Sequence, residues 1–118
     1  MSWDTVTLEW NDTVATLTVD RPEALNALNV ETLTAMGEAI TEAAEGGARA
    51  LILTGAGDDA FIAGADIKYM RDLSTPEAQE WGALGHDVAD ALETFPGATV
   101  AAVNGYAFGG GCEMALAC

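Results

Sequence analysis

Basic residues are scarce in this 118-residue chain: four Lys and Arg stand against nineteen Asp and Glu, for a net charge of -15. That field opposes any approach to phosphate backbones or anionic lipid, so neither nucleic acid nor a membrane surface is an expected partner. Long apolar runs are missing too. None nears the roughly 20 residues that span a bilayer, and the opening MSWDTVTLEW has no basic stretch leading into an apolar one. A soluble, cytoplasmic protein is the expectation. Histidine occurs only at position 86 and cysteine only at 112 and 118, without zinc-type spacing, so no metal site and no disulfide are expected. Cys112 and Cys118 read as small buried apolar groups, and His86 as a surface or partly covered side chain. With Lys68 the only lysine, the acidic excess reads as a solvated shell suited to a salt-rich cytoplasm, where counterions screen self-repulsion.

What is present is a composition that is 50% hydrophobic, enough for one domain with a core and too short for two. TVTLEW (5–10) and VATLTV (14–19), separated by Asn11-Asp12-Thr13, predict a β-hairpin. Asn29 is placed to cap a helix over 30–45, with Leu33, Met36, Ile40 and Ala43 at helical spacing and Gly46-Gly47 at its end. ALILT (50–54) and TVAAV (99–103) are short apolar runs of the kind that form strands buried on both faces. Between them Thr75 and Pro76 open a second long helix whose apolar stripe is Trp81, Leu84, Val88, Leu92 and Phe95. Strands alternating with helices predict an α/β fold with parallel pairing and right-handed crossovers.

Loops that follow parallel strands are where such sheets hold ligands. Two are candidates, GAGDDAFIAGADIKYM and NGYAFGGGCEMA, both rich in glycine. Gly55-x-Gly57-x-x-Ala60 has dinucleotide-fingerprint spacing but opens no helix, and no lysine follows Gly111 as a phosphate-binding loop requires. A helix starting near Gly110 would present unpaired N–H groups, and Ala65, leading into DIKYM, could supply another; two such amides form an oxyanion hole. The same glycines also permit tight strand-to-helix packing. From Thr94 to Cys118 the only ionisable carboxylate is Glu113. Burying it among Ala, Leu and Gly would be costly. One helical turn beyond Gly110, it is placed to serve as a general base beside the oxyanion site.

DRPEALNALN, AFIAGADIKYM and AAVNGYAFGGGCEMALAC, in that order, resemble the enoyl-CoA hydratase (crotonase) family from about Thr5 to the last residue. The resemblance implies a crotonase fold of repeated ββα units and an acyl thioester of coenzyme A as ligand. By position, Ala65 and Gly110 resemble the residues whose N–H groups hold the thioester oxygen. Glu113 resembles the first catalytic glutamate, which activates water for attack on the β-carbon. Ala63, Asp66, Ile67, Lys68 and Gly109 match segments lining the CoA and acyl pocket, and Ala24 and Ala27 match the turn near pantetheine and nucleotide. It also implies that no separate cofactor is needed, that homo-oligomers of trimer or hexamer type form, and that a second glutamate further along serves as proton donor. That glutamate is not reached by Cys118, and MALAC ends without cap or polar tail, so the chain reads as apparently truncated, the N-terminal part of one such domain.

Overall fold

The computed structural model describes residues 3–118. Its elements in chain order are β1 (Val6–Asn11), β2 (Val14–Val19), a 3-10 turn (Pro22–Ala24), α1 (Val30–Glu45), β3 (Ala50–Gly55), β4 (Ala60–Ile62), α2 (Ile67–Arg71), α3 (Thr75–Glu93), β5 (Ala98–Ala101), β6 (Tyr106–Ala107) and α4 (Gly110–Ala117). Two strands followed by helix recur three times, which is the repeated ββα pattern of the crotonase fold.

The alternation in β1 and β2 puts Val6, Leu8, Ala15, Leu17 and Val19 on one covered face. The strands pair antiparallel from Val6–Val19 to Asn11–Val14, and Asp12 takes the left-handed turn position at φ 57°. Beyond β2 the sheet continues in parallel through β3 to β5, in the order β1-β2-β3-β5. β4 and β6 form a separate parallel pair.

Asn29 caps α1 as expected, accepting from the Thr32 N–H, and the buried face carries Leu33, Met36, Ile40 and Ala43. α3 starts differently. Its cap is Ser74, not Thr75, because Ser74 and Glu77 form a reciprocal capping box that places Pro76 one position further in. The 3.6-residue stripe is otherwise as anticipated, with Val88, Leu92 and Phe95 buried.

Two expectations about burial are corrected. β3 is covered on one face only: Leu51 and Leu53 are buried while Ile52 and Thr54 are half-buried. β5 spans 98–101 rather than 99–103 and is not buried, with Val100 49% and Val103 52% exposed, since no described element packs over that face. Tyr106, Phe108 and Leu116 continue the exposed apolar surface, the first two as stacked rings 5.4 Å apart. Among the described residues no helix is long and apolar enough to cross a membrane.

Candidate active site

The 21–28 turn and the 63–66 segment are built against each other. After the 3-10 turn, Leu25 and Asn26 adopt φ 54° and 58°, a consecutive left-handed pair that swings the chain back alongside Ala63–Asp66. The Ala63 N–H then donates to Leu25 O (3.1 Å), Leu28 N–H to Gly64 O (2.8 Å) and Asp66 N–H to Leu28 O (3.0 Å). Arg21 spans the junction, donating from Nη1 to Ala27 O at 2.6 Å and from Nη2 to Asp66 Oδ2 at 3.1 Å. Asp66 also caps α2 through the Tyr69 N–H. Burial works to raise the Asp66 pKa, but the Tyr69 amide and the Arg21 guanidinium outweigh it and hold the carboxyl below the usual aspartate value.

Two asparagine side chains fix the turn between β3 and β4. Asn26, fully buried, accepts from the Arg21 N–H and donates to Ala56 O and Ala60 O. Asn104 accepts from the Gly55 N–H and donates to Gly55 O, Gly57 O and Ala60 O. Each satisfies carbonyls that the turn leaves unpaired. At Gly55 a Cβ would lie 2.5 Å from Ala60 O and 2.8 Å from Asn26 Nδ2, so only glycine fits there.

On the other side stands the start of α4. Gly109 takes φ 48°, ψ -114°, a region for glycine alone. A Cβ on Gly111 would strike Ile62 O, so the helix sits directly on β4. The two loops meet here: a Cβ on Gly64 would lie 3.9 Å from the Gly110 nitrogen, and one on Gly110 would lie 4.0 Å from Gly64 Cα. Amides on either side of the junction are paired, Asp66 to Leu28 O, Gly111 to Phe108 O and Glu113 to Gly109 O. Those of Ala65 and Gly110 have no protein acceptor among the described residues.

Ala65, Gly110 and Glu113 line one cavity of about 240 Å³, walled by Leu28, Met114 and the α3 face of Trp81, Gly85 and His86. Glu113 is exposed at this wall. The expected desolvation cost of a carboxylate in an apolar segment does not arise, because α4 turns that side chain away from the core that Met114 enters. A second, more open concavity of about 700 Å³ is lined by Ala24, Ala27, Ala63, Asp66, Ile67 and Lys68, with Arg21 at its side. Ala65 borders both. Gly109 borders neither and acts as the backbone pivot into α4. Cys112 is exposed rather than buried, and burial pushes the Cys118 thiol up. No cluster of metal-ligating side chains occurs among the described residues.

The sequence pattern of enoyl-CoA hydratases and isomerases matches residues 9–118. The chain belongs to the enoyl-CoA hydratase/isomerase family. It is 45% identical over its full length to a crotonyl-CoA hydratase of Syntrophomonas wolfei and 46% identical to a short-chain-enoyl-CoA hydratase of Clostridium acetobutylicum, covering 46% of each. The crystal structure of an enoyl-CoA hydratase from Bacillus anthracis superposes with a TM-score of 0.93 at 30% identity, over 98% of this chain and 45% of that one. The chain thus spans under half the length of the relatives it matches.

Within this family member, Arg21, Asn26 and Asn104 shape the site without having been singled out from sequence, and Trp81, expected only as part of the α3 apolar stripe, lines the cavity. A signal existed for the asparagines: each interrupts an apolar stretch, in EALNAL and AAVNGY. Trp81 meets Tyr69 edge-on at 6.3 Å, joining α3 to α2 beside the cavity. His86 is exposed as expected, but it also lines the wall of the cavity that holds Glu113.

Proposed function

We propose that these residues form the thioester-binding part of an enoyl-CoA hydratase-type site, adding water across a trans-2-enoyl-CoA. The observation that carries this reading is the pair of unengaged amides, Ala65 and Gly110, brought together at one cavity with Glu113. Ala65 borders both concavities, so a thioester carbonyl at its N–H would leave the acyl group beside Glu113 and the pantetheine along Ala63–Lys68.

In the reaction, Glu113 accepts a proton from water as the water oxygen bonds to C3. The C2–C3 π electrons move toward the thioester carbonyl, whose oxygen gains charge under the two N–H groups. C2 then takes a proton from a second acid, which the resemblance makes a glutamate. Every electron stays within the substrate and water, so the chemistry calls for no redox partner and no separate cofactor. Assembly as a trimer or hexamer belongs to the same reading.

Crotonyl-CoA hydration, followed by loss of enoyl-thioester absorbance, tests it. Glu113→Gln is expected to lower kcat by about 100-fold or more while leaving the affinity for a saturated acyl-CoA nearly unchanged. Equal turnover in the variant would refute the role of Glu113. Conversion of a 3-enoyl-CoA without hydration would reassign the chain to the isomerases. A second reading, a non-catalytic acyl-CoA binder, rests on Glu113 being, among the described residues, the only carboxylate that lines the cavity; binding of acetoacetyl-CoA without any turnover would favour it.

A further inference from the structure

Of the four basic residues, Arg49, Lys68 and Arg71 are exposed, and only Arg21 is withdrawn from solvent. Its side chain is 15% exposed and that of its partner Asp66 is 16%. A withdrawn charge in so acidic a chain calls for a reason, since moving ions out of water is costly unless several partners satisfy them. The partners here are specific. One arm of the guanidinium reaches Ala27 O and the other reaches Asp66, the residues that flank the Leu28–Ala65 bridge between the two segments.

Resting on the function proposed above, we propose that Arg21 is a positioning residue: its two-armed bond locks the 63–66 segment to the 21–28 turn and thereby aims the Ala65 N–H at the thioester oxygen. The fork geometry is what makes arginine suited to this. A lysine ammonium is a single point charge that reaches one acceptor or the other, and it lacks the planar pair of donors. The Asp66 N–H to Leu28 O and Leu28 N–H to Gly64 O bonds hold the backbone register, while Arg21 closes the ladder on its outer side. Loss of that closure would let Ala65 shift relative to Gly110, and displacement of about 1 Å at a catalytic donor can cost about 100-fold in rate.

The competing role is direct contact with CoA phosphate, because Arg21 also lines the larger concavity. Arg21→Met, Arg21→Lys and Asp66→Asn, made in the full polypeptide that carries these residues, separate the two. In Arg21→Met the Leu28 and Asp66 amides are expected to exchange hydrogen about tenfold or more faster, with the β2–β3 amides unchanged. Crotonyl-CoA kcat is expected to fall about tenfold or more while the Kd of free CoA, which has no thioester carbonyl, stays within about threefold. Arg21→Lys is expected to lie between Arg21→Met and the unaltered protein, and if Arg21→Met does not fold, Arg21→Lys and Asp66→Asn carry the comparison. Unchanged exchange at Leu28 and Asp66 would overturn the proposal, as would uniform acceleration across the sheet. Weakening of free CoA in step with the thioester would assign Arg21 to phosphate binding instead. If the unaltered protein neither hydrates crotonyl-CoA nor binds any acyl-CoA, the proposed function falls, and exchange at Leu28 and Asp66 still decides whether Arg21 holds the segment.

Discussion

Replacing the three consecutive glycines by alanine, one at a time, separates three physical reasons for glycine at adjacent positions. At Gly111 the added Cβ would collide with Ile62 O and stand 2.7 Å from Ile62 C, both backbone atoms of the fully buried β4. No rotamer relieves that contact, so α4 must lift from β4. Overpacking typically costs 1 to 3 kcal/mol, and a backbone collision belongs at or above the upper end, about 3 kcal/mol or more. At Gly109 the new Cβ meets nothing within 4 Å, but φ 48° with ψ -114° is strained for any L side chain, worth about 1 to 3 kcal/mol. At Gly110 the Cβ would come 3.2 Å from Leu28 Cδ1, a methyl group at a side-chain tip. A shift of a few tenths of an ångström accommodates it, and alanine is a better helix former than glycine by under about 1 kcal/mol. At about 4 °C per kcal/mol for a chain of this size, Gly111→Ala should melt about 12 °C or more below the unaltered protein. By the same conversion Gly109→Ala should lie about 4 to 12 °C below it, and Gly110→Ala within about 4 °C. Calorimetry or circular dichroism on the three variants reads the order directly. If Gly111→Ala melts with the unaltered protein, or if Gly110→Ala is the least stable, the close seating of α4 on β4 is wrong, and with it the approach of the Gly110 amide to Ala65.

Asp66 predicts an acid limit. Its carboxyl is held below the ordinary value, so the stabilisation is fully present above the unfolded pKa near about 4 and is lost as pH falls below that through the folded value. Asp66→Asn keeps a residue that can cap α2 but removes the charge, so the melting difference between the two proteins should be level above about pH 5 and shrink in more acid solution. A difference that persists unchanged to about pH 2 would show that the charge contributes nothing. Gly85 lines the cavity and its Cβ would meet nothing within 4 Å, so Gly85→Leu should fold at least as well as the unaltered chain while filling the space that the proposed function gives to the acyl chain. Hydration of 2-octenoyl-CoA is expected to fall about tenfold or more relative to crotonyl-CoA, since each excluded methylene forfeits about 0.8 kcal/mol. An unaltered ratio of the two kcat/KM values would place the acyl chain elsewhere.

What could be read from the sequence were the features set by short-range rules. The hairpin follows from alternation on both sides of Asn11-Asp12-Thr13, and α1 follows from an asparagine cap ahead of a helical apolar stripe. Ser74-Thr75-Pro76-Glu77 contains the capping-box spacing, yet two adjacent hydroxyl residues compete as caps, and only the reciprocal bond with Glu77 decides between them. β4 and β6 have three and two residues, too few to show any period. The strand at 98–101 shows a different gap: TVAAV states that the residues tolerate burial, whereas burial itself depends on what packs over them. Arg21 and Asn26 eluded the reading because their chemistry depends on partners 45 and 34 residues away, at Asp66 and Ala60.

The site also divides into a local part and a distant part. Its geometry is local, fixed by clearances between β4, the 63–66 segment and α4 that only glycine permits, and backbone amides held so tightly need no rearrangement as charge develops. The strength of those amides is another matter, because the pull of a fixed dipole on a developing charge grows as water leaves and the effective dielectric falls. Glu113 faces solvent, and Phe108 and Leu116 on either side of it in sequence are 60% and 79% exposed. Aim therefore comes from the described residues, while much of the force must come from whatever excludes water there. Under the proposed function an acyl-CoA thioester would itself be such a cover: its apolar chain, laid along Leu28, Met114 and the α3 wall, would displace water from the carbonyl assigned there to Ala65 and Gly110. Under that proposal substrate binding and oxyanion stabilisation would be coupled, and longer contact along the wall would strengthen the two hydrogen bonds without moving either donor.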